Sequence, residues 1–127
     1  MSKFINFETV TGDLNFVALD SIYLVTTNEI YYTYGTKIES EIITDIAFIR
    51  IADQIIFADE GWINIRNFVN DENVVGQTLV RKDSITGIIK TKNGYELKLE
   101  YNGLPVEVEV AYMTENEAAK LAKKLAE

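Results

Sequence analysis

Residues 93–110 read NGYELKLEYNGLPVEVEV, and this stretch decides the fold class. Apolar and charged residues alternate in it with the period of two that is typical of a strand with one buried face. Asn93-Gly94 and Asn102-Gly103 interrupt the alternation, and Asn-Gly favours a type I′ hairpin turn with positive φ at both central residues. With the apolar run before them, they predict a three-stranded antiparallel meander in which Leu79 to Thr91 is one strand, bent at Gly87.

A helix is predicted after the meander. Thr114-Glu115-Asn116-Glu117 has the spacing of a capping box, in which the Thr hydroxyl and the Glu carboxylate each bind the other residue's backbone N–H. The apolar residues that follow lie on one helical face: Ala118, Leu121, Ala122 and Leu125. A helix this short is marginal in water on its own, so its apolar face must be buried. We expect it to pack on the sheet, and another chain is the alternative.

The meander has an echo in the first half of the chain. Asp20-Ser21-Ile22 recurs as Asp83-Ser84-Ile85, 63 residues later. After each copy come a β run, a turn, a Tyr-rich strand, a Gly turn, an alternating strand and a helical pattern. We interpret this as two pseudo-repeated β-β-β-α units over residues 1–70 and 77–127 within one compact domain, 1–127. Chance similarity between two β meanders is the alternative.

The first unit is less regular. Residues 3–10 suit a strand or an extended arm, and residues 14–26 suit a strand broken at Asp20-Ser21. Over residues 44–57, Thr44 is a candidate cap, and five apolar residues have the spacing of one helical face: Phe48, Ile51, Ala52, Ile55 and Ile56. We therefore favour a helix there, although the isoleucine content also suits a strand. Residues 62–69 are ambiguous, and residues 70–76 suit an exposed acidic loop. The predicted fold class is α+β, rich in antiparallel strands, with the C-terminal helix packed on the sheet.

Composition limits the chemistry. The 127 residues are 47% apolar and include no cysteine and no histidine, so thiolate catalysis and the commonest general base are excluded. The net charge of −8 argues against a nucleic-acid partner. Residues 1–63 carry 3 basic and 10 acidic residues, whereas residues 64–127 carry 9 and 10. Two solvated surfaces of different composition explain this asymmetry, and an acidic half that meets a basic partner or another copy is the alternative. No apolar run approaches the ~20 residues of a membrane span, and no secretory signal is visible, so we expect no membrane partner.

Three kinds of site are weighed against ordinary surface. The carboxylate pairs Asp59/Glu60 and Asp71/Glu72, with Asp53, have the oxygen ligands of a calcium site or an acid–base pair, but no EF-hand spacing. A basic and aromatic strand face could hold single-stranded nucleic acid. Its residues are Arg81, Lys82, Lys90, Lys92, Lys98, Tyr95 and Tyr101. Glu96 and Glu100 share the face of Lys98, which favours ion pairs instead. We predict no enzyme, no cofactor and no metal.

The aromatic residues are the candidates for a protein interface, because Tyr and Trp are enriched at the energetic centres of interfaces. The predicted interface residues are Phe4, Phe7, Tyr31, Tyr32, Tyr34 and Trp62. Tyr31 faces away from Tyr32 and Tyr34 if this run is a strand. Core packing is the alternative for all of them, and strand addition through the arm or an exposed edge is a second route to binding.

Four segments resemble one group of proteins: Lys3-Phe4-Ile5-Asn6-Phe7, Thr11-Gly12-Asp13, Val17-Ala18-Leu19-Asp20-Ser21-Ile22 and Glu29-Ile30-Tyr31-Tyr32. The chain is similar there to short β-rich accessory and structural proteins of tailed bacteriophages of the crAss-like and marine types. The likeness covers residues 1–57 and is echoed in 79–127. It transfers no functional residue.

The resemblance implies a virion component, such as a capsid auxiliary or a head–tail or tail ring protein, that contacts other virion proteins and itself. The alternative hypothesis is a monomeric adaptor or regulatory binding module in the bacterial cytoplasm.

Overall fold

The computed structural model describes residues 3–58, 61–68, 77–106 and 112–127. In these residues the strands are β1 (Phe4–Glu8), β2 (Leu14–Ala18), β3 (Ile22–Thr26), β4 (Glu29–Tyr34), β5 (Lys37–Ile42), β6 (Trp62–Asn64), β7 (Thr78–Arg81), β8 (Ile85–Thr91), β9 (Gly94–Tyr101), β10 (Leu104–Val106) and β11 (Tyr112–Met113). The helices are α1 (Asp45–Ala58) and α2 (Glu115–Leu125). The α+β class is confirmed, and α2 packs against the sheets as predicted.

A five-stranded antiparallel sheet with the order β5-β4-β3-β7-β6 forms the centre. Its middle strands β3 and β7 are apolar along most of their length, and nearly every residue in them is buried. Side chains leave a strand on alternate faces, so this sheet needs a covering layer on both sides. Val25 and Leu79 lie in the first core cluster, on one face of the sheet, whereas Leu24 and Val80 lie in the second core cluster, on the other face.

The β1–β2 hairpin and α1 cover the first face. The helix predicted over residues 44–57 is confirmed, and the Thr44 hydroxyl accepts a hydrogen bond from the Ala47 N–H as a cap. Four residues of the predicted face are buried, Phe48, Ile51, Ala52 and Ile55, and Ala47 is buried beside them. The side chain of Ile56, the fifth, lies outside the described part of the structure. The inward side chains of β1, Ile5 and Phe7, share the first core cluster with the buried residues of α1.

A second sheet and α2 cover the other face. Strand β9 pairs with β8 along one edge and with β10 and β11 along the other. The capping box at Thr114 and Glu117 is confirmed. Leu121 of α2 is fully buried in the second core cluster, together with Leu97 and Leu99 of β9. The short α2 is therefore held by the sheet beneath it.

The order of elements recurs in the two halves. A strand, a 3-10 turn and three strands occur at residues 14–42, and the same order occurs at residues 78–106. The 3-10 turns are Leu19–Ser21 and Lys82–Ser84, 63 residues apart. Register irregularities follow each turn at matching places, between Ile22 and Leu24 and between Ile85 and Gly87. The recurrence thus includes backbone detail as well as sequence.

Two local predictions are wrong. The single strand predicted from Leu79 to Thr91 is divided into β7 and β8 by the 3-10 turn, because β7 leaves the meander and joins the central sheet beside β3. The type I′ turn predicted at Asn93-Gly94 does not form, because Gly94 already pairs with Thr91 and Asn93 lacks a positive φ. Asn102 and Gly103, at φ 52° and 79°, have the positive φ values at both positions.

Replacing Ile51 tests the contribution of the first core cluster. Ile51→Ala should lower the free energy of unfolding by about 3 kcal/mol, because it leaves a cavity beneath α1. Ile49 lies on the same helix with 59% of its surface exposed, so Ile49→Ala should change stability by less than about 0.5 kcal/mol. Urea denaturation of both variants measures the difference, and equal losses would contradict this packing.

Tyr23 makes the stability of the fold sensitive to alkaline pH. It is fully buried, and no described residue forms a hydrogen bond with its hydroxyl. Burial, with a smaller contribution from Tyr31, raises its pKa well above the ordinary value. An unfolded tyrosine loses its proton near pH 10, whereas the folded one retains it. The stabilisation is therefore complete below about pH 10 and falls by about 1.4 kcal/mol per pH unit above it.

Tyr23→Phe should flatten this alkaline decline, and at pH 7 it should raise stability by about 1 kcal/mol because it removes a buried hydroxyl without a partner. Urea denaturation at pH 7, 10 and 11 checks both effects. An unchanged decline between pH 10 and 11 would assign the alkaline sensitivity to other groups.

Candidate protein-interaction surface

The outward face of the β1–β2 hairpin is apolar and exposed. Phe4, Leu14 and Phe16 point away from the core with 59%, 58% and 62% of their surfaces exposed. The hairpin pairing places Phe16 opposite Asn6 and Leu14 opposite Glu8, so this face carries one amide and one carboxylate beside its large apolar side chains. A face of this kind is typical of a protein-binding site. We call it the hairpin face.

The hydrogen bonding of the hairpin shows which backbone groups are available. Thr9 donates to Asp13 and Leu19 donates to Lys3, at 2.9 and 2.7 Å from N to O. Bonded and non-bonded pairs alternate in an antiparallel ladder, so Val17 and Asn15 bond to β1. The N–H and C=O groups of Leu14, Phe16 and Ala18 therefore point away from β1.

The two edges of the hairpin differ. At the β1 edge, the Gln54 side chain donates to the Asn6 C=O at 3.0 Å and accepts from the Asn6 N–H at 3.2 Å, as a neighbouring strand would. At the β2 edge, β1 is the one described strand that pairs with β2, and no described residue bonds to the backbone of Phe16. One edge is thus closed by a side chain of α1, and the other is open.

The open β2 edge lacks the features that usually protect a strand edge. Exposed edges in monomeric proteins carry charged residues, prolines or very short strands. The β5 edge has Lys37, Glu39 and Glu41, and β10 contains Pro105. Strand β2 reads LNFVA and has neither charge nor proline. This edge is therefore prepared for pairing with another strand.

A groove of about 420 Å3 lies beside the hairpin, between the β1–β2 turn and the first turn of α1. Val10, Leu14 and Ile46 contribute apolar surface, and Glu8 and Arg50 contribute charge. The groove contains neither of the residue types that most often supply a general base or a nucleophile at neutral pH, histidine and cysteine, because the chain has none. Its chemistry suits contact with a protein segment.

Arg81 is a buried cation that sequence reasoning missed. It is 8% exposed, and its guanidinium donates to the C=O groups of Ile22 and Leu19 at 2.9 and 2.7 Å. Its guanidinium carbon lies 4.7 Å from the ring centre of Trp62 and 5.6 Å from that of Tyr101. The Tyr101 hydroxyl donates to the Asp20 C=O. Arg81 and Tyr101 together fix the 3-10 turn at the end of β2, and so the position of the hairpin.

The structure separates the six aromatic residues predicted as an interface. Phe4 is on the hairpin face, whereas Phe7 is 3% exposed in the core. Tyr31 and Tyr32 are partly buried against opposite core clusters, as the strand alternation predicted. Tyr34 is 73% exposed at the end of β4, and Trp62 is half-buried under Arg81. Sequence reasoning missed the exposed apolar side chains of Leu14 and Phe16, and their alternation with Asn15 and Val17 is the signal that could have found them.

Burial and nearby carboxylates alter the two inner tyrosines. Burial raises the pKa of Tyr31 and of Tyr32, and Glu29 and Glu41, respectively, raise each pKa further. The Tyr32 hydroxyl donates to Glu41 across the strand pair at 3.2 Å. Both tyrosines therefore remain neutral at physiological pH and act as hydrogen-bond donors, not as nucleophiles.

The basic and acidic candidates are placed as follows. Arg81 is inside the fold, so it does not belong to a surface that nucleic acid could touch. Lys90 lies over the ring of Tyr95, 5.6 Å from its centre. Asp59, Glu60, Asp71 and Glu72 lie outside the described residues. Within the described part of the chain, no three acidic residues converge as metal ligands would.

Comparison with protein-family models, with curated proteins and with solved structures found no match to this chain. Among the described residues, neither helix is long and apolar enough to cross a membrane.

Amide hydrogen exchange at low protein concentration should distinguish the two hairpin edges. The Asn15 and Val17 amides should exchange slowly because they bond to β1, and the Phe16 amide should exchange fast. Gln54→Ala should accelerate exchange at Asn6 about fivefold, which corresponds to one hydrogen bond of about 1 kcal/mol. Asp53→Ala, at the exposed neighbouring position, is the control. Equal protection of Phe16 and Asn15 would show that the β2 edge is covered.

Proposed function

We propose that this protein is a non-catalytic structural protein that acts through repeated contacts with other proteins, as a small component of a bacteriophage virion. The observation that carries the proposal is the hairpin face, where Phe4, Leu14 and Phe16 are all more than half exposed beside an open strand edge. Exposing three large apolar side chains together costs solubility, so a partner that covers them would explain their presence.

Apolar burial and backbone pairing supply the binding energy in this mechanism. An added strand gains hydrogen bonds along the β2 edge, and the adjacent apolar side chains supply specificity. Such contacts need a rigid platform, and the bonds from Arg81 to Leu19 and Ile22 hold the end of β2 in place. No proton transfer or covalent step is required.

The virion role rests on the resemblance of residues 1–57 to phage accessory and structural proteins. Its partners would be other virion proteins and further copies of this chain, in the virion after synthesis in the bacterial cytoplasm. The low isoelectric point of about 4.6 argues against a role in packing the genome by direct contact.

A monomeric adaptor in the bacterial cytoplasm is the second candidate. The groove beside α1 favours it, because Val10, Leu14 and Ile46 could receive a short apolar segment while Glu8 and Arg50 bind its polar groups. An adaptor of this kind would bind one segment and would not need to self-associate.

Light scattering across a protein concentration series tests the proposal. We expect a defined assembly whose mass exceeds that of the 14.4 kDa chain, and Phe4→Glu should shift its formation to at least about tenfold higher concentration. Ile49→Glu is the matched control, because Ile49 is exposed to the same extent on α1, away from the hairpin. A strict monomer at all concentrations would contradict self-assembly and favour the adaptor.

A further inference from the structure

The chain already contains one junction between its two halves. Strand β3 follows the first 3-10 turn, β7 precedes the second, and the two strands pair in the middle of the central sheet. Val25 lies opposite Leu79 in this pairing. The strand that follows one 3-10 turn is thus joined to the strand that precedes the other.

Two described strands lack such a partner: one strand that precedes a 3-10 turn and one strand that follows a 3-10 turn. Strand β2 precedes the first 3-10 turn, as β7 precedes the second, and among the described strands it pairs with β1 alone. Strand β8 follows the second turn, as β3 follows the first, and within the described chain it pairs with β9 alone. We propose that copies of this protein associate head to tail, the β8 edge of one copy pairing with the β2 edge of the next. This inference rests on the proposed function, since it identifies a second copy as the partner at the hairpin face.

The new sheet would have the same strand arrangement as the central one. Pairing of β8 with β2 of the next copy gives the order β10-β9-β8-β2-β1, which corresponds to β5-β4-β3-β7-β6. Shifting the β3–β7 register by the 63 residues of the repeat gives the expected contacts. They are Gly87 with Val17, Ile88 with Phe16, and Ile89 with Asn15.

The backbone groups at the two edges are in phase for this register. Thr91 and Gly94 face each other across a two-residue turn, which makes them a hydrogen-bonded pair. Alternation along the ladder then directs the N–H and C=O groups of Ile88 away from β9. Those of Phe16 point away from β1, so the two residues can exchange two hydrogen bonds, as Val25 and Leu79 do in the repeat-equivalent position.

Burial differs between the two halves on the side where the next copy would sit. Ile22 and Val25 are fully buried, whereas their counterparts Ile85 and Ile88 are only partly buried. Leu79 belongs to the first core cluster, and Trp62 packs against it. Their counterparts in the hairpin, by strand position, are Phe16 and Phe4, which are exposed. Phe16 and Phe4 of the next copy would therefore cover Ile85 and Ile88.

Charge favours this orientation over pairing of two β2 edges. Two β2 edges would bring together the two acidic halves, each with 10 acidic and 3 basic residues. The head-to-tail register instead places Lys90 and Thr91 opposite Leu14 and Asp13 of the next copy, with Lys92 adjacent. A basic hairpin tip thus meets an acidic one, which lowers the repulsion between copies of net charge −8.

An interface between different edges repeats at every copy. Such a heterologous contact closes into a ring when its rotation allows and otherwise produces a filament. The assembly would contain no free β2 or β8 edge when closed. A closed ring would therefore hide each hairpin face and protect each edge from uncontrolled pairing.

Two variants, each with one edge blocked, test the inference. Phe16→Glu places a carboxylate where an apolar side chain must be buried, and Lys90→Pro removes an N–H that points to the free edge of β8 without affecting the bonds to β9. Each variant alone should remain a monomer by light scattering at concentrations about 100-fold above those at which the unmodified protein assembles. Ile89→Glu is a second β8 variant, for use if the proline prevents folding.

Mixing the two variants gives the decisive result. The Phe16→Glu copy retains its β8 edge and the Lys90→Pro copy retains its β2 edge, so an equimolar mixture should form a 1:1 complex and nothing larger. Circular dichroism establishes that each variant is folded, and Ile49→Glu and Lys90→Ala, which retain both edges, should assemble.

The other outcomes are separable. If the unmodified protein assembles and the folded β8 variants assemble as well, the head-to-tail inference is wrong while the structural function stands. If Lys90→Pro forms dimers and the double variant with Phe16→Glu in the same chain does not, two β2 edges pair with each other instead. A monomeric unmodified protein would overturn both the inference and the proposed self-assembly.

Discussion

The pairing of β3 with β7 joins residues about 55 positions apart in the sequence, and the layers on both sides depend on it. Because these strands are buried on both faces, each face needs its own apolar cover, and the chain supplies a helix and a group of strands for each. The chain between β3 and β7 becomes a closed loop when the two strands pair, and this costs conformational entropy. The fold therefore depends on pairing between distant segments as well as on local propensity. The duplicated order of elements supplies a helix and strands for each face of the central sheet.

Arg81 stabilises the same region from inside. Its position at the end of β7 lets its guanidinium bind the C=O of Leu19, the first residue of the 3-10 turn, and the C=O of Ile22, which follows the turn, while two aromatic rings cover its faces. Hydrogen bonds to a charged donor are stronger than neutral ones, and the removal of such a donor leaves buried acceptors unpaired. Arg81 therefore connects β7 of the central sheet to the turn that follows β2 of the hairpin. A binding face on the hairpin gains rigidity from that connection.

Local signals in the sequence predicted much of the fold. The spacing of Phe48, Ile51 and Ile55 predicted α1, and the capping box at Thr114 predicted α2. Phe4 and Phe7 were both predicted as interface residues, but the strand places Phe4 outside and Phe7 in the core. The departure of β7 from the meander was missed, because its pairing with β3 depends on contacts between distant segments that leave no local pattern. The burial of Arg81 was missed for the same reason, since its acceptors lie about 60 residues away in the sequence. The exposure of Leu14 and Phe16 was missed, although both alternate with Asn15 and Val17 along β2.

The β3–β7 junction is formed within one covalent chain, and this would set the order of events in the proposed assembly. Tethered strands meet at an effective concentration of about millimolar, whereas separate copies pay the full loss of translational and rotational freedom. Two junctions with the same design would then differ greatly in the concentration at which they form. The internal junction is complete in every folded monomer, and the junction between copies would form only above a threshold concentration of the protein. Production of the protein could therefore precede assembly, and the accumulation of copies at one place would start it.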